Sequence, residues 1–424
     1  MGYEHLSLPL WKKRNLINNG TVMIIPSRRT TNFSYAIRNI VQAAEVLERA
    51  GHRVTYLNIG DPQAFGFRPP AHVVEAVQRA VSDSFTGYAP SAGLPEAREA
   101  VADYATQLGA ETRSDEVIIT SGASEAADLV LTALVNPGEE VLLPAPGYPL
   151  YPAILNKLGA QGRYYGLDEL RGWQPSMDEV RSLITKRTRA LLLINPNNPT
   201  GSIIPDDITG QLLELAAEND LLVIADEVYR ELCFSESPSP ASVLAKNIGV
   251  PLITLESLSK THMVPGWRVG WMRFTNSDKM NDLIQAIMRL ASGRLCSPTP
   301  SQYAVRPALT GSKHFLQRFI ADIRSRRDRA ADHVRSIEGL SCFTPEAAFY
   351  MMIRVHELGE QTDEQFVLDL LNQTGVLVVH GSGFGSDADA GYFRLVYLAD
   401  EETLDSAFRE IRRFMITGRA EAFV

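Results

Sequence analysis

The segment ESLSKTHMVPGWRVGW, residues 256–271, carries the strongest structural and chemical signal in the chain. It overlaps the end of the apolar run PLITLES, which is typical of a strand buried on both faces, and it places Lys260 just after that strand among hydroxyl side chains. An ammonium group is well solvated in water and loses that solvation when it is buried. A lysine at the end of a core strand therefore indicates that its amine has a chemical use.

The composition is that of an ordinary globular protein. The chain has 424 residues, of which 45% are hydrophobic and 21% are charged, and this length suits one large and one smaller domain. The net charge of -9 argues against nucleic acid or an anionic membrane as the main partner. No run resembles a transmembrane or secretory segment. The widely spaced Cys233, Cys296 and Cys342 fit neither a disulfide framework nor a zinc site, so we expect a cytoplasmic protein without a metal.

Short apolar runs alternate with helical patterns through the middle of the chain. The runs are EVIITSG, EEVLLPAPGYP, RALLLINPNNPTG, NDLLVIADEVY and VPLITLESLSK. This alternation predicts an α/β fold, in which a large domain has a mostly parallel, mixed sheet sandwiched by helices and a smaller α/β domain lies beside it. We expect an N-terminal arm (1–32), two small-domain segments (33–65 and 306–424) and a large domain (66–305). Ligands of such sheets bind outside the carboxyl ends of the strands.

The first three strand ends carry groups suited to binding a small molecule. Ser121, Gly122 and Ala123 begin a predicted helix, where free backbone N–H groups can bind an anion. Tyr148 follows the second strand in a Pro-Gly turn. Asn198 lies in NPNNPTG, a loop that its prolines hold in a fixed conformation. Taken singly, each of these features is equally compatible with an ordinary structural turn.

The last two strand ends carry charged groups. Asp226 ends an apolar strand, and Tyr229 lies one helical turn further on. A buried carboxylate is unfavourable without a cation, so the partner of Asp226 is either a distant arginine or a cationic ligand. The fifth strand delivers Ser257 and Lys260, whose buried amine would be a nucleophile towards an aldehyde. Arg268 could hold a phosphate through its planar guanidinium.

A single ligand would use all of these groups. It would carry a phosphate for the helix N-terminus, Ser257 and Arg268, and an aldehyde that forms a Schiff base with Lys260. It would also carry a protonated ring nitrogen for Asp226, with an oxyanion and a flat face for the remaining strand-end groups. That ligand is pyridoxal 5'-phosphate.

The chain resembles the fold-type I aminotransferases of class I/II from about residue 33 to its C-terminus. The motifs NPNNPTG, ADEVY and SLSKTHMVPGWRVGW carry the resemblance in that order. It implies the cofactor roles given above, with Asn198 and Tyr229 on the phenolate oxygen and Tyr148 stacked on the ring. It further implies that Arg394, in GYFRLVY, clamps the substrate α-carboxylate and that the backbone of Gly60, in LNIGDP, contacts it. Tyr88, in TGYAPSAGLPEAREAV, would reach the cofactor phosphate of a second subunit in a homodimer with shared sites.

The segments FSYAIRNI, LNIGDPQAFGFRPP, RLCSPTPSQ and VVHGSGFG are similar to those of bacterial and archaeal alanine (glutamate–pyruvate) aminotransferases. This similarity implies a ping-pong transaminase for alanine, glutamate, pyruvate and 2-oxoglutarate. Arg38 or Arg294 is expected to bind the distal carboxylate of glutamate, and an ordinary salt bridge is the alternative for either. Ser257 departs from a glycine common in relatives and adds a hydroxyl to the phosphate site. Other readings are a branched-chain, aromatic or methionine donor, a C–S lyase, or a non-catalytic regulator.

Overall fold

A computed structural model of the chain describes residues 15–18, 21–24, 26–27, 29 and 36–421, with side chains for 26–27, 29 and 40–417. The strands are β1 (Asn15–Asn18), β2 (Thr21–Ile24), β3 (Thr55–Tyr56), β4 (Val117–Thr120), β5 (Glu140–Ala145), β6 (Gln161–Asp168), β7 (Gln174–Pro175), β8 (Thr188–Ile194), β9 (Leu222–Asp226), β10 (Leu252–Ser257), β11 (Gly270–Thr275), β12 (Leu340–Cys342), β13 (Tyr350–Val355), β14 (Val376–Leu377), β15 (Val379–His380) and β16 (Tyr392–Val396). The α-helices are α1 (Ala36–Arg49), α2 (Ala71–Ser82), α3 (Pro95–Gln107), α4 (Ala123–Leu134), α5 (Leu150–Leu158), α6 (Met177–Leu183), α7 (Asp206–Glu218), α8 (Ala241–Ile248), α9 (Leu258–Thr261), α10 (Asn281–Gly293), α11 (Thr299–Gln302), α12 (Val305–Thr310), α13 (His314–Arg335), α14 (Asp363–Thr374) and α15 (Glu401–Glu421).

The large sheet has eight strands in the order β4-β11-β10-β9-β8-β5-β6-β7. Its central strands are parallel, whereas β11 runs antiparallel to both of its neighbours and β7 runs antiparallel to β6. The mixed, mostly parallel sheet predicted from the sequence is therefore confirmed. Because β4, β5, β8, β9 and β10 share one direction, their carboxyl ends meet at a single edge.

Both faces of the large sheet are buried along its central strands, which explains why β8, β9 and β10 are largely apolar. Ile224 and Ile253 pack on one face with side chains from α4, α5 and α10. Val223 and Leu252, each one residue earlier, pack on the other face with side chains from α6, α7 and α8. Successive strand residues point to opposite faces, so a strand covered on both sides must be apolar throughout.

A second, antiparallel sheet has the order β12-β13-β16-β15 and forms a smaller unit. It shares one hydrophobic core with α1, α13, α14 and α15, so elements from both ends of the chain build this unit. That arrangement accords with small-domain segments at 33–65 and 306–424, whose boundaries stay a prediction. The arm assigned to 1–32 lies mostly outside the described residues. Within the described ranges, no helix is long and apolar enough to cross a membrane.

Candidate active site

A cavity of about 590 Å³ lies at the carboxyl edge of the large sheet, where that sheet faces the small unit. Strand ends of the large sheet form one wall, and side chains from β13, β16 and α1 form the other. The predicted site residues that line it are Gly60, Ala123, Tyr148, Asn198, Asp226, Tyr229, Ser257, Lys260, Arg268 and Arg394. The strand-end rule therefore locates most of the predicted site at one place.

Lys260 follows β10 in the short helix α9 and points its amine into this cavity. The Nζ donates a hydrogen bond to the carbonyl oxygen of Gly60 at 2.7 Å. Burial lowers the pKa of Lys260 to about 8; Asp61 opposes this effect, whereas Arg394 and Arg268 add to it. About a tenth of the amine would then be neutral at pH 7, far more than for a lysine in water. The side chain is therefore prepared to act as a nucleophile and a base.

Gly60 lies tightly against the side chains of Phe349 and of Tyr350, the first residue of β13. A Cβ atom at this position would lie 2.1 Å from the Tyr350 hydroxyl oxygen and 2.8 Å from the Phe349 ring. Distances this short are not compatible with any side chain. The absence of a side chain lets the Gly60 carbonyl approach the amine of Lys260.

Asp226 ends β9 and is almost fully buried. Its Oδ2 accepts a hydrogen bond from the Tyr151 hydroxyl at 2.7 Å, and its Oδ1 accepts one from the Val228 N–H at 3.3 Å. Burial raises the pKa of Asp226, while both hydrogen bonds oppose that rise. Within the described part of the chain, no cationic side chain contributes to the stabilisation of this carboxylate. Of the two partners considered for Asp226, the structure favours a cationic ligand over a distant arginine.

Arg394, from the centre of the small sheet, lies on the opposite wall and is 1% exposed. Its Nη1 donates to the Asn198 side-chain oxygen at 3.0 Å, and its Nη2 donates to the Asn58 carbonyl oxygen at 2.6 Å. The guanidinium carbon lies 4.5 Å from the centre of the Tyr350 ring and 4.6 Å from that of the Phe384 ring. These contacts fix a planar cation at the cavity wall, which suits the recognition of a carboxylate.

The turn between β4 and α4 lies against Arg268 and is suited to an anion. Arg268 donates from Nη2 to the Ser121 carbonyl oxygen at 3.0 Å. Gly122 has φ +78°, and a Cβ atom there would lie 2.4 Å from the Arg268 Nη2. Ala123 and Ser124 begin α4 and line the cavity, so the positive end of a helix and a guanidinium lie together. Ser121 and Gly122 do not themselves line the cavity, but both lie against the Arg268 guanidinium, which does.

Hydroxyl and aromatic groups complete the cavity. Ser257 lines it and caps α9 by accepting a hydrogen bond from the Ser259 N–H at 3.3 Å. The Tyr229 hydroxyl lies 2.7 Å from the Tyr350 hydroxyl, and burial keeps the pKa of Tyr229 well above its usual value. The flat ring of Tyr148 also lines the cavity.

Besides Ser121 and Gly122, the predicted residues Tyr88 and Arg294 do not line this cavity, and the side chain of Arg38 is not among those described. Tyr88 is 84% exposed on the surface. Arg294 pairs through Nε with the Glu125 carboxylate at 2.8 Å and donates from Nη2 to the Ile119 carbonyl oxygen at 2.9 Å. These contacts favour the salt-bridge alternative for Arg294. Arg38 belongs to α1, and its side chain lies outside the described residues.

Ser124, Tyr151 and Tyr350 are among the groups that sequence reasoning missed and the structure adds to the cavity. Ser124 directly follows the predicted anion-binding turn, and Tyr151 lies three residues after Tyr148 at the start of a predicted helix. Their spacing would have been a usable signal. Tyr350 begins an apolar strand in the run AAFYMMIRV, where nothing in the local pattern distinguishes it from a core residue.

Comparisons with known proteins identify the family to which the chain is similar. The family described as "Aminotransferase class I and II" matches residues 52–411. The glutamate-pyruvate aminotransferase AlaA of Haemophilus influenzae is 35% identical over 399 residues, which cover 92% of this chain and 97% of that protein. An alanine aminotransferase of Mycobacterium tuberculosis is 35% identical over 405 residues, or 93% of each chain. The structure of an alanine aminotransferase from Pyrococcus furiosus superposes with a TM-score of 0.90 at 37% identity, covering 93% of this chain and all of that one.

A mixed sheet with a partly buried lysine at its carboxyl edge, together with an arginine from a small antiparallel sheet, is typical of a fold-type I aminotransferase. The chain belongs to the aminotransferase class I and II family. It is an enzyme that transfers an amino group between an amino acid and a 2-oxo acid. The non-catalytic reading is thereby set aside.

Proposed function

We propose that the cavity holds pyridoxal 5'-phosphate and that Lys260 is the residue that binds it covalently. The observation that carries this proposal is a pair of groups that line one cavity at the carboxyl ends of the neighbouring strands β9 and β10. One is a buried carboxylate, Asp226, without cationic help from the described side chains, and the other is an amine, Lys260, with a pKa of about 8. A protonated pyridine would neutralise the carboxylate, and an aldehyde would react with the amine.

The remaining lining residues fit the rest of that molecule. The N-terminus of α4, Ser257 and Arg268 offer donors and positive charge for a phosphate. Asn198 and Tyr229 would hold the ring oxygen, and Tyr148 would stack on the ring face. Glycine at position 122 leaves room for a close approach to the Arg268 guanidinium.

The reaction then depends on where this chain holds charge and protons. When bound, pyridoxal phosphate supplies an aldehyde and a ring that accepts electrons. Asp226 holds the proton of the ring nitrogen through its buried carboxylate. Arg394 binds the substrate α-carboxylate and orients the Cα–H bond towards Lys260. The neutral Nζ of Lys260 takes the Cα proton as a general base. It then gives a proton back as a general acid to complete the half-reaction.

We infer that alanine and glutamate are the amino donors, and pyruvate and 2-oxoglutarate the acceptors, in a ping-pong cycle. The support is the similarity over more than nine-tenths of the chain to proteins named for these substrates. For the distal carboxylate, the position of Arg38 in α1 is the stronger candidate. Val41, Gln42 and Glu45 of that helix line the cavity, and Arg38 lies one helical turn before Gln42.

We also propose a homodimer with shared active sites. Tyr88 is a large aromatic residue at 84% exposure in its own chain, and Phe85 and Leu295 add exposed apolar surface at 47% and 53%. Burial against a second copy would remove this surface from water and would bring Tyr88 to the partner's phosphate site.

The three unpaired cysteines support a reducing cytoplasm as the working compartment.

The test is a matched pair of measurements on purified protein supplied with pyridoxal phosphate. Alanine with 2-oxoglutarate should yield equal amounts of pyruvate and glutamate, and Lys260→Ala should abolish this turnover while leaving the circular dichroism spectrum unchanged. A screen of branched-chain, aromatic and methionine donors tests the substrate assignment. Release of a thiol and ammonia from cysteine or cystathionine without an acceptor would indicate a C–S lyase and refute the proposed function.

A further inference from the structure

Tyr350 lies at the meeting point of the groups proposed to bind cofactor and substrate. Its hydroxyl is 2.7 Å from that of Tyr229, and the two rings are nearly perpendicular at a centroid distance of 5.5 Å. The guanidinium carbon of Arg394 lies 4.5 Å from the centre of the Tyr350 ring. The same hydroxyl occupies the space that a side chain at Gly60 would need. Tyr350 therefore contacts Tyr229 and Arg394 and lies close to Gly60, whose carbonyl oxygen accepts the hydrogen bond from Lys260.

The ring and the hydroxyl of Tyr350 have separable roles. The ring packs against the Arg394 guanidinium, which also contacts the Phe384 ring at 4.6 Å. Contact with two aromatic rings favours one position of the cation. The hydroxyl contacts Tyr229 instead, so a change of Tyr350 to Phe removes one role and keeps the other.

Either hydroxyl of the Tyr229–Tyr350 pair can be the donor, and an anionic ligand in the cavity would select the direction. Tyr229 has one proton and stays protonated, because burial keeps its pKa well above the usual value. If Tyr229 donated this proton to Tyr350, none would remain for an anionic ligand in the cavity. If Tyr350 donates to Tyr229, the Tyr229 proton can point at the ligand oxygen, and the two bonds strengthen each other.

We propose that Tyr350 is a positioning residue that holds Arg394 in place with its ring and, through its hydroxyl, directs the Tyr229 proton towards the cofactor oxygen. This inference rests on the proposed function. It makes Tyr350 the link between the substrate carboxylate site and the electronic state of the cofactor. A substrate that moves Arg394 would also move the Tyr350 ring that packs against it. The hydroxyl of that ring, which contacts Tyr229, would then move as well.

The test uses Tyr350→Phe loaded with pyridoxal phosphate and titrated by its visible absorbance. Without the supporting donor, Tyr229 donates a weaker hydrogen bond to the cofactor oxygen. Because more negative charge then stays on that oxygen, it holds more tightly the proton on the nitrogen that joins Lys260 to the cofactor. The pKa obtained from the visible absorbance titration should therefore rise by about 0.1 to 0.6. Tyr397→Phe is the matched control, since Tyr397 is a fully buried tyrosine in the same core that does not line the cavity. An unchanged titration for Tyr350→Phe, or an equal shift for Tyr397→Phe, would overturn the inference.

Two further variants test the route and the ring. In a Tyr229→Phe background, adding Tyr350→Phe should leave the absorbance pKa where the single Tyr229 variant puts it, because the effect passes through Tyr229. An additive shift would refute that route. Tyr350→Phe should bind the unreactive carboxylate propionate as wild type does, whereas Tyr350→Leu should bind it at least several-fold more weakly. Equal propionate binding by Tyr350→Leu and wild type would refute the role of the ring.

These outcomes are separate from failure of the proposed function. If wild-type protein gives no visible absorbance band with pyridoxal phosphate, the cofactor assignment itself is wrong. If wild type gives the band and the Tyr350 variants titrate and bind as it does, only the inference about Tyr350 fails.

Discussion

The buried carboxylate of Asp226 gives the sharpest test of the cofactor assignment, because Asp226→Asn should have opposite effects on two quantities. The substitution keeps the size of the side chain and removes its charge. In the cofactor-free protein that charge is buried and, among the described residues, accepts hydrogen bonds from Tyr151 and Val228. Replacing an uncompensated buried charge should raise the free energy of unfolding by about 1–3 kcal/mol.

The cofactor-bound protein should respond in the other direction. Breaking a buried ion pair by removing one partner costs about 3–5 kcal/mol, and each 1.4 kcal/mol is a factor of ten. The dissociation constant for pyridoxal phosphate should therefore rise between roughly a hundredfold and several thousandfold. Deprotonation of the substrate should also slow severely, because an unprotonated pyridine is a poor electron acceptor.

The pH dependence of the cofactor-free protein follows from the raised pKa of Asp226. A carboxyl whose native pKa is raised binds its proton more tightly in the native state, so its ionisation destabilises that state. The stability advantage of Asp226→Asn should be absent well below the ordinary value of 3.8 and should grow as pH rises through it. It should become constant once pH exceeds the native pKa.

The assays are urea unfolding of the cofactor-free proteins across pH, spectroscopic titration with pyridoxal phosphate, and single-turnover kinetics with alanine. Tyr151→Phe is a control that removes a hydrogen bond from the same carboxylate and leaves its charge. It should lower cofactor affinity far less than Asp226→Asn. If Asp226→Asn loses stability in the cofactor-free protein and binds the cofactor normally, the carboxylate has a structural role only.

Further predictions concern the amine, the phosphate turn, the arginines and the subunit interface. The rate at which cofactor-free protein captures pyridoxal phosphate should rise with pH and level off above about 8, since the neutral amine of Lys260 is the reactive form; a pH-independent rate would contradict this. Gly122→Ala should weaken phosphate and cofactor binding at least tenfold, because its Cβ would lie 2.4 Å from the Arg268 guanidinium; unchanged titration would refute that crowding. Arg38→Leu should raise the Michaelis constants for glutamate and 2-oxoglutarate and spare those for alanine and pyruvate, whereas Arg294→Leu should impair both pairs equally; equal losses for Arg38 would remove it as the distal-carboxylate group. Mixing Lys260→Ala chains with Tyr88→Phe chains should create one fully wild-type site per heterodimer and so raise activity above the sum of the parents, and sizing that shows an active monomer would end the shared-site proposal.

The sequence predicted the part of the site that lies at strand ends and could not predict the part that depends on packing between the two units. Asp226 and Lys260 follow apolar strands, so the rule for parallel sheets brings them together without knowledge of the rest. Arg394 and Gly60 lie in ordinary strand and loop patterns, and only resemblance pointed to them. Tyr350 had no local signal, because its role comes from contacts with residues far away in the chain. Arg294 stays a prediction for the distal carboxylate, and its ion pair with Glu125 could not be foreseen because the two residues are far apart in the chain.

The contact between Arg394 and Asn58 has a consequence for how the enzyme is made. The two residues are 336 positions apart, and the neighbouring backbone of Leu57 also accepts a hydrogen bond from Val396. A ribosome completes the lysine strand and its neighbours well before it adds β16, so a nascent chain can assemble the large sheet first. The wall proposed to bind the substrate carboxylate forms only when β16 returns to the segment around Asn58. Under that proposal, a nascent chain acquires its carboxylate-binding group only after the strands that carry Asp226 and Lys260 have been made.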